Sequence, residues 1–312
     1  MKATLKRVPI LNTDGPAPSR PVITTFARVD TAEGPARRVG GVLQPSASMA
    51  IRQGMKRNFI AAVALMLPLS PAAAQDEDDF RVRVGLGAQL RPEYIGADER
   101  EVAPLWELDI ARGTNAFRFE APDDSFGIAL VSEGSFSAGP AASIESSRKN
   151  SDAGAPVGKV PTTFEAGAFA AYELSKNIRL RGELRKGIGG HQGVVGTVGA
   201  DYIWREGDHY VVSVGPRLLF SDARYQRAYF GVGPEAATAA GLSQYRPDGG
   251  VHAVAATSGV SYQFTPRWGL FGFARYERLI GDAAKSPIVR ERGSSNQLSA
   301  GMGLSFTFTI KR

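Results

Sequence analysis

The feature that most constrains this chain is a period of two in hydrophobicity, sustained over stretches longer than soluble strands use. Towards the C-terminus Leu298, Ala300, Met302, Leu304, Phe306, Phe308 and Ile310 alternate with Ser299, Gly301, Gly303, Ser305, Thr307 and Thr309. The same pattern opens at Phe80, where Val82, Val84, Leu86, Ala88 and Leu90 alternate with Arg81, Arg83, Gly85, Gly87, Gln89 and Arg91. Such alternation places one aliphatic and one polar or small face on a β-strand. Soluble strands usually run about five or six residues, whereas runs of about ten fit tilted strands that cross a bilayer.

Tracing the period gives segments at 80–91, 103–111, 115–121, 125–132, 135–148, 162–174, 178–187, 193–204, 209–221, 251–264, 267–279 and 296–310. The expected fold class is therefore all-β: a transmembrane antiparallel up-and-down β-barrel of about twelve strands, an even number as bacterial barrels require. The third segment is the weakest, being brief and followed at once by Pro122-Asp123-Asp124, so ten strands is the alternative. Short connections such as Ser175-Lys176-Asn177 and Glu206-Gly207-Asp208 alternate with long ones near 149–161, 222–250 and 280–295. That is the pattern of short periplasmic turns and long extracellular loops. Aromatic residues near strand ends, including Tyr172, Tyr202, Trp204, Tyr262, Phe264, Trp268 and Tyr276, suit the belts where rings meet lipid headgroups.

The run MKRNFIAAVALMLPLSPAAAQ from Met55 has a positive start, a short apolar stretch broken by Pro68 and an Ala-rich site before Gln75. These are the parts of a cleaved secretory signal, and the apolar stretch is too short to span a bilayer. Residues 55–74 are thus read as a signal peptide with cleavage near Ala74/Gln75, and 1–54 as a start-site artefact or disordered leader with translation beginning at Met55. The barrel occupies 75–312, in the outer membrane of a Gram-negative bacterium. The chain as a whole carries +6, with 37 Lys+Arg and 31 Asp+Glu, but 10 of those bases and 3 of those acids precede Gln75. The remainder has 27 against 28, a net charge of −1, which removes nucleic acid as an expected partner. The chain has no cysteine, which excludes disulfides, thiolate zinc sites, iron–sulfur clusters and a Cys nucleophile.

The loop AYFGVGPEAATAAGLSQYRPDGG at 228–250, KSPIV at 285–289, PEYIGADEREVAPLWELDIARG at 92–113 and RKGIGGHQG at 185–193 together resemble the MipA/OmpV family of outer-membrane barrels. The resemblance covers about 80–310. It implies the barrel fold and the outer membrane, and a scaffold role in peptidoglycan organisation with a murein lytic transglycosylase and a penicillin-binding protein as partners. The closing GMGLSFTF resembles the C-terminal signal read by the barrel-assembly machinery, with Leu304, Phe306 and Phe308 as its candidate residues and Thr309-Ile310-Lys311-Arg312 as an extension of the usual form. Outer-membrane lipid is the remaining expected partner.

On the inward face Arg81, Arg83, Arg179, Arg181, Arg185 and Arg217 could meet Glu165, Glu173, Glu183 and Asp201. A charged constriction that selects solutes is one function for such residues. Buried charges must be paired, which favours a salt-bridged filling of a narrow barrel and leaves a solute pore as the alternative function. An outer-membrane enzyme is a weaker alternative. The histidines are His191, His209 and His252, and His252 lies roughly 20 Å along its strand from Ser258 at ~3.3 Å per residue. No catalytic, cofactor or metal residues are expected; His191 in GIGGHQG reads as part of a glycine turn rather than a ligand.

Overall fold

The structure is a computed structural model that describes residues 79–311; the leader and signal read at 1–54 and 55–74 lie outside the described residues. Among the described residues, twelve antiparallel strands form one sheet. In chain order they are β1 (Phe80–Pro92), β2 (Arg100–Arg112), β3 (Phe126–Gly127), β4 (Val131–Glu133), β5 (Phe136–Glu145), β6 (Thr163–Ser175), β7 (Ile178–Gly189), β8 (Val194–Glu206), β9 (Tyr210–Ser221), β10 (Gly250–Gln263), β11 (Trp268–Leu279) and β12 (Asn296–Ile310). Most are 12 to 15 residues long, the length the sequence period calls for.

First and last strands are partners, with Phe80 opposite Ile310 and Leu86 opposite Leu304. From there the order runs β2-β1-β12-β11-β10-β9-β8-β7-β6-β5-β3, with β4 also on β5. The sheet curls, so that Arg83 of β1 reaches Ser261 of β10 at 3.3 Å. Its outward face is apolar: Leu86, Trp106, Ile110, Met302 and Leu304 are all exposed, the stripe expected against lipid. Tyr172, Tyr202, Trp204, Tyr262, Phe264 and Trp268 are also exposed and gather at the end carrying the short turns, where Tyr202 and Trp204 lie 4.4 Å apart. Among the described residues no helix is long and apolar enough to cross a membrane.

The wall differs from the sequence expectation in one place. The segment 115–121 is not a strand, and 125–132 is split into the fragments β3 and β4. The period of two is present in 115–121, but the chain turns inward after β2 and Pro122, which lacks an N–H, cannot donate to a ladder. The count of twelve is reached because the broken strand contributes two pieces.

The long loops contain helices that the sequence reading did not assign. They carry α1 (Ala223–Phe230), α2 (Pro234–Ala240), α3 (Gly281–Lys285) and α4 (Pro287–Arg292). Asp222 caps α1 by accepting from Tyr225 N at 2.9 Å. In α2, Pro234 opens the helix and Gly241 closes it at φ 67°, the usual division of labour between these residues. Tyr225, Tyr229, Phe230, Leu279 and Val289 form one apolar cluster, and Tyr94, Val157, Val232, Leu242 and Ile288 a second beside it. Together they make a cap over the long-loop end.

Candidate functional site

The inward faces of the strands carry guanidinium and carboxylate groups in register. Arg179 on β7 stands opposite Asp201 on β8 and bonds it at 2.8 Å. Arg217 on β9 reaches the other oxygen of Asp201 at 2.6 Å. Arg181 holds Glu183 at 2.6 Å, and Arg185 bridges Glu183 and Glu165, the latter at 2.9 Å. On the other side of the lumen Arg83 holds Asp109 at 2.6 Å, and at the short-turn end Arg81 holds Asp208 at 2.8 Å. Of the residues expected to face one another inside the barrel, Arg179, Arg181, Arg185 and Arg217 meet Glu165, Glu183 and Asp201, whereas Arg81 and Arg83 pair instead with Asp208 and Asp109, and Glu173 is exposed near the β6–β7 turn.

What sequence reasoning missed is the segment that these arginines grip. After β2 the chain rises through the lumen as 115–125 and contributes two buried carboxylates. Asp124 accepts from Arg179 at 2.7 Å, and Asp123 accepts from Arg217 at 3.0 Å and from Thr257 at 2.9 Å. Arg275 lies 3.4 Å from Asp123 and also pairs with Glu277. Ser125 donates to Glu183 through N and Oγ, at 3.2 and 2.6 Å. With no strand neighbour, the segment's backbone is satisfied by side chains: Arg81 donates to Asn115 O, Phe117 N donates to Asp208 at 2.9 Å, Arg205 donates to Phe117 O, and Arg179 donates to Phe119 O at 3.2 Å. At Phe117 and Phe119 these bonds serve residues that turn inward, while Ala116, Arg118 and Glu120 beside them are exposed.

Aromatic faces add to the grip. The guanidinium groups of Arg81 and Arg83 lie 4.8 and 4.6 Å from the Phe117 ring centre, and that of Arg179 lies 4.6 Å from Phe119; each such contact contributes about 0.5–2 kcal/mol depending on exposure. Pro122 packs where a side chain at Gly259 would stand, since a Cβ there would lie 2.7 Å from Pro122 Cγ. No count of strand charges pointed to the segment, because the inward arginines are matched by inward carboxylates that include Glu107, Asp109, Glu145 and Glu277.

Above this layer lies a buried polar group at the base of the cap. His191 sits in the turn after β7, as its glycines suggested, but its ring is buried: Nδ1 accepts from Gly193 N at 3.0 Å and Nε2 donates to Glu165 at 2.9 Å. Ser221 Oγ and His252 Nδ1 lie 3.0 Å apart, a cross-strand pair that linear spacing could not reveal. Both residues are buried beside α1, with the His252 ring 5.3 Å from Tyr225, and His252 Nε2 has no hydrogen-bond partner. The pair thus lacks the orienting third group of a hydrolytic triad. No group of three or more His, Asp or Glu able to hold a metal occurs among the described residues. The remaining His209 flanks the β8–β9 turn, 5.1 Å from the Tyr262 ring.

Leu304, Phe306 and Phe308 lie on closing strand β12, with Leu304 and Phe308 exposed on the lipid face and Phe306 packed 4.9 Å from Trp268. A cavity of about 770 Å³ remains beside the lumenal segment, bordered by Arg83, Glu107, Asp109 and Phe273 within and by Trp106 and Ile144 at the outer surface.

Among solved structures, the chain is similar to the NanC porin, at 10% identity and TM-score 0.33 over 73% of this chain and 98% of that one. It is similar also to the outer membrane channel DcaP of Acinetobacter baumannii, at 10% identity and TM-score 0.34 over 78% and 100%. A third is the translocator domain of the autotransporter NalP from Neisseria meningitidis, at 14% identity and TM-score 0.34 over 75% and 90%. No curated protein matches the chain. The family model described as MltA-interacting protein MipA matches residues 84–308, nearly the whole of the strand-bearing region, and the chain belongs to this MipA family of outer-membrane β-barrels.

Proposed function

We propose that the protein is a scaffold of the cell envelope, a plugged and capped barrel that holds peptidoglycan enzymes rather than passing solutes. The observation that carries the choice between scaffold and pore is the filled lumen: ion pairs and the segment 115–125 occupy its middle, and two apolar clusters close its long-loop end. The family description supplies the partner, since the protein for which it is named interacts with MltA. The partner proposed here is a murein lytic transglycosylase, with a penicillin-binding protein as the second member of the complex. Catalysis is left to those enzymes.

Delivery to the outer membrane follows the sequence signals: export through a signal peptide cleaved after Ala74, then insertion by the assembly machinery reading Leu304, Phe306 and Phe308 of β12. Mass spectrometry of the mature protein is expected to find Gln75 at its N-terminus.

The scaffold reading is tested by pull-down from detergent-solubilised envelopes with the intact barrel as bait. Recovery of a lytic transglycosylase at a level well above that with an unrelated barrel is expected. Equal recovery with both baits overturns the assignment.

A further inference from the structure

The two ends of the sheet do not meet. Among the described residues, β2 is paired along Arg100–Arg112 to β1, and at the other end the fragments β3 and β4 are paired to β5; no ladder joins β2 to either fragment. In a bilayer such a seam would turn unpaired N–H and C=O groups towards hydrocarbon, which closed barrels avoid. The residues that connect the two edges in sequence, 113–125, are the ones lodged in the lumen.

Three observations mark that segment as a strand held away from its place. Its residues alternate, with Phe117, Phe119 and Ala121 on one face and Ala116, Arg118 and Glu120 on the other. The turn that would start a hairpin is already formed: Asn115 N donates to Arg112 O at 3.1 Å, with Gly113 at φ 57° in the first central position, where hairpin turns of type II′ need a positive φ. Continuing that ladder would set Ile110 opposite Phe117, Asp109 opposite Arg118 and Leu108 opposite Phe119. Both rings would then join the lipid-facing row of Ile110 and Leu108, while Arg118 would face Asp109 inside. Finally, the 770 Å³ cavity borders both the segment and β2, so there is open space between the present position and the seam.

We infer that residues 113–125 form a two-position element: lodged in the lumen as seen here, or zipped onto β2 as the missing wall strand that closes the seam. The first position is held by Asp123 and Asp124 on the arginines, the second by ladder hydrogen bonds and by burial of Phe117 and Phe119 in lipid. The arginines left behind keep Asp201, Glu183 and Glu277 as partners. The movement empties the middle of the lumen but leaves the two apolar clusters of the cap in place, so the scaffold reading then rests on the cap alone. Disulfide trapping reads the segment's position and the pull-down reads partner recovery, so each can fail without the other.

The absence of cysteine makes disulfide trapping direct. Leu108→Cys with Phe119→Cys reports the wall position, and Pro122→Cys with Gly259→Cys the lumenal one. Each pair is placed in the full-length protein in lipid vesicles, with and without Asp123→Asn and Asp124→Asn. Closure of the 108–119 pair is expected in vesicles, faster by about tenfold or more once the two carboxylates are neutralised, because a state separated by a few kcal/mol responds strongly to loss of charge-assisted bonds. The 122–259 pair is expected to slow in the same background. Should the 108–119 variant fail to assemble, Ile110→Cys with Phe117→Cys takes its place. No closure of the wall pair in either background overturns the inference.

Discussion

The lumenal segment and the cap both obstruct one barrel with chain from between its strands, yet they are held by opposite means. In 115–125, Asp123, Asp124 and Ser125 meet charged partners, and the backbone of Asn115, Phe117 and Phe119 is bonded by side chains of the wall. In the cap, helices satisfy their own backbone and Tyr229, Phe230 and Ile288, all fully buried, supply apolar area. The charged contacts specify one position for the segment, since each depends on a particular pair. The apolar ones tolerate adjustment but need volume.

The difference can be broken from either side. Phe230→Ala is expected to cost the cap about 3–5 kcal/mol through lost burial and a residual cavity, read as faster proteolysis of the long loops while the barrel still migrates as folded. Asp124→Ala is expected to cost about 3 kcal/mol in urea unfolding from micelles, at the lower end of the range for breaking a buried pair. Arg179 and Arg181 retain Asp201 and Glu183 there. Loss of more from Asp124→Ala than from Phe230→Ala would reverse the ranking of the two regions.

Tyr94 offers a finer probe of the cap. Burial pushes its hydroxyl up to about 12 from 10.0, and its oxygen has no hydrogen-bond partner. The folded cap therefore keeps the phenol neutral, a contribution fully present below pH 10 and lost as pH rises towards 12. Tyr94→Phe is expected to reduce that alkaline loosening, followed by loop proteolysis against pH, with Tyr225 and Tyr229, also pushed up by burial, supplying the remainder. It is also expected to stabilise by up to about 1 kcal/mol by removing an unpaired polar atom. At the small end, Lys285→Ala removes an exposed pair with Asp282 and is expected to change stability by under about 0.5 kcal/mol.

Much of the wall was legible because a strand between lipid and lumen must alternate, as β1, β7 and β12 do. The segment 115–121 alternates equally well, and local period alone cannot say whether Phe117 and Phe119 face lipid or arginines. That was decided by distant residues, Arg81, Arg83 and Arg179. Part of the lumenal charge was legible, because inward positions follow from parity, although Asp109, Arg275 and Glu277 share that parity and were not singled out; Asp123, Asp124 and Asp208 were hidden because they lie in turns and irregular chain. Likewise Ser221 and His252 meet only through the β9–β10 ladder, which shifts register between Val251 and Ala253. The long loops carried helix signals, Pro234 before an Ala-rich run and Gly241 after it, that were weaker than the strand period around them.

The central claim is that this barrel does not conduct solutes, and planar-bilayer recording of the purified native protein tests it most directly. The account predicts a baseline without discrete single-channel steps, since the cap seals the long-loop end whatever the position of 113–125. Reproducible steps from the unmodified protein, altered in ion selectivity by Arg179→Ala or Arg217→Ala, would contradict it.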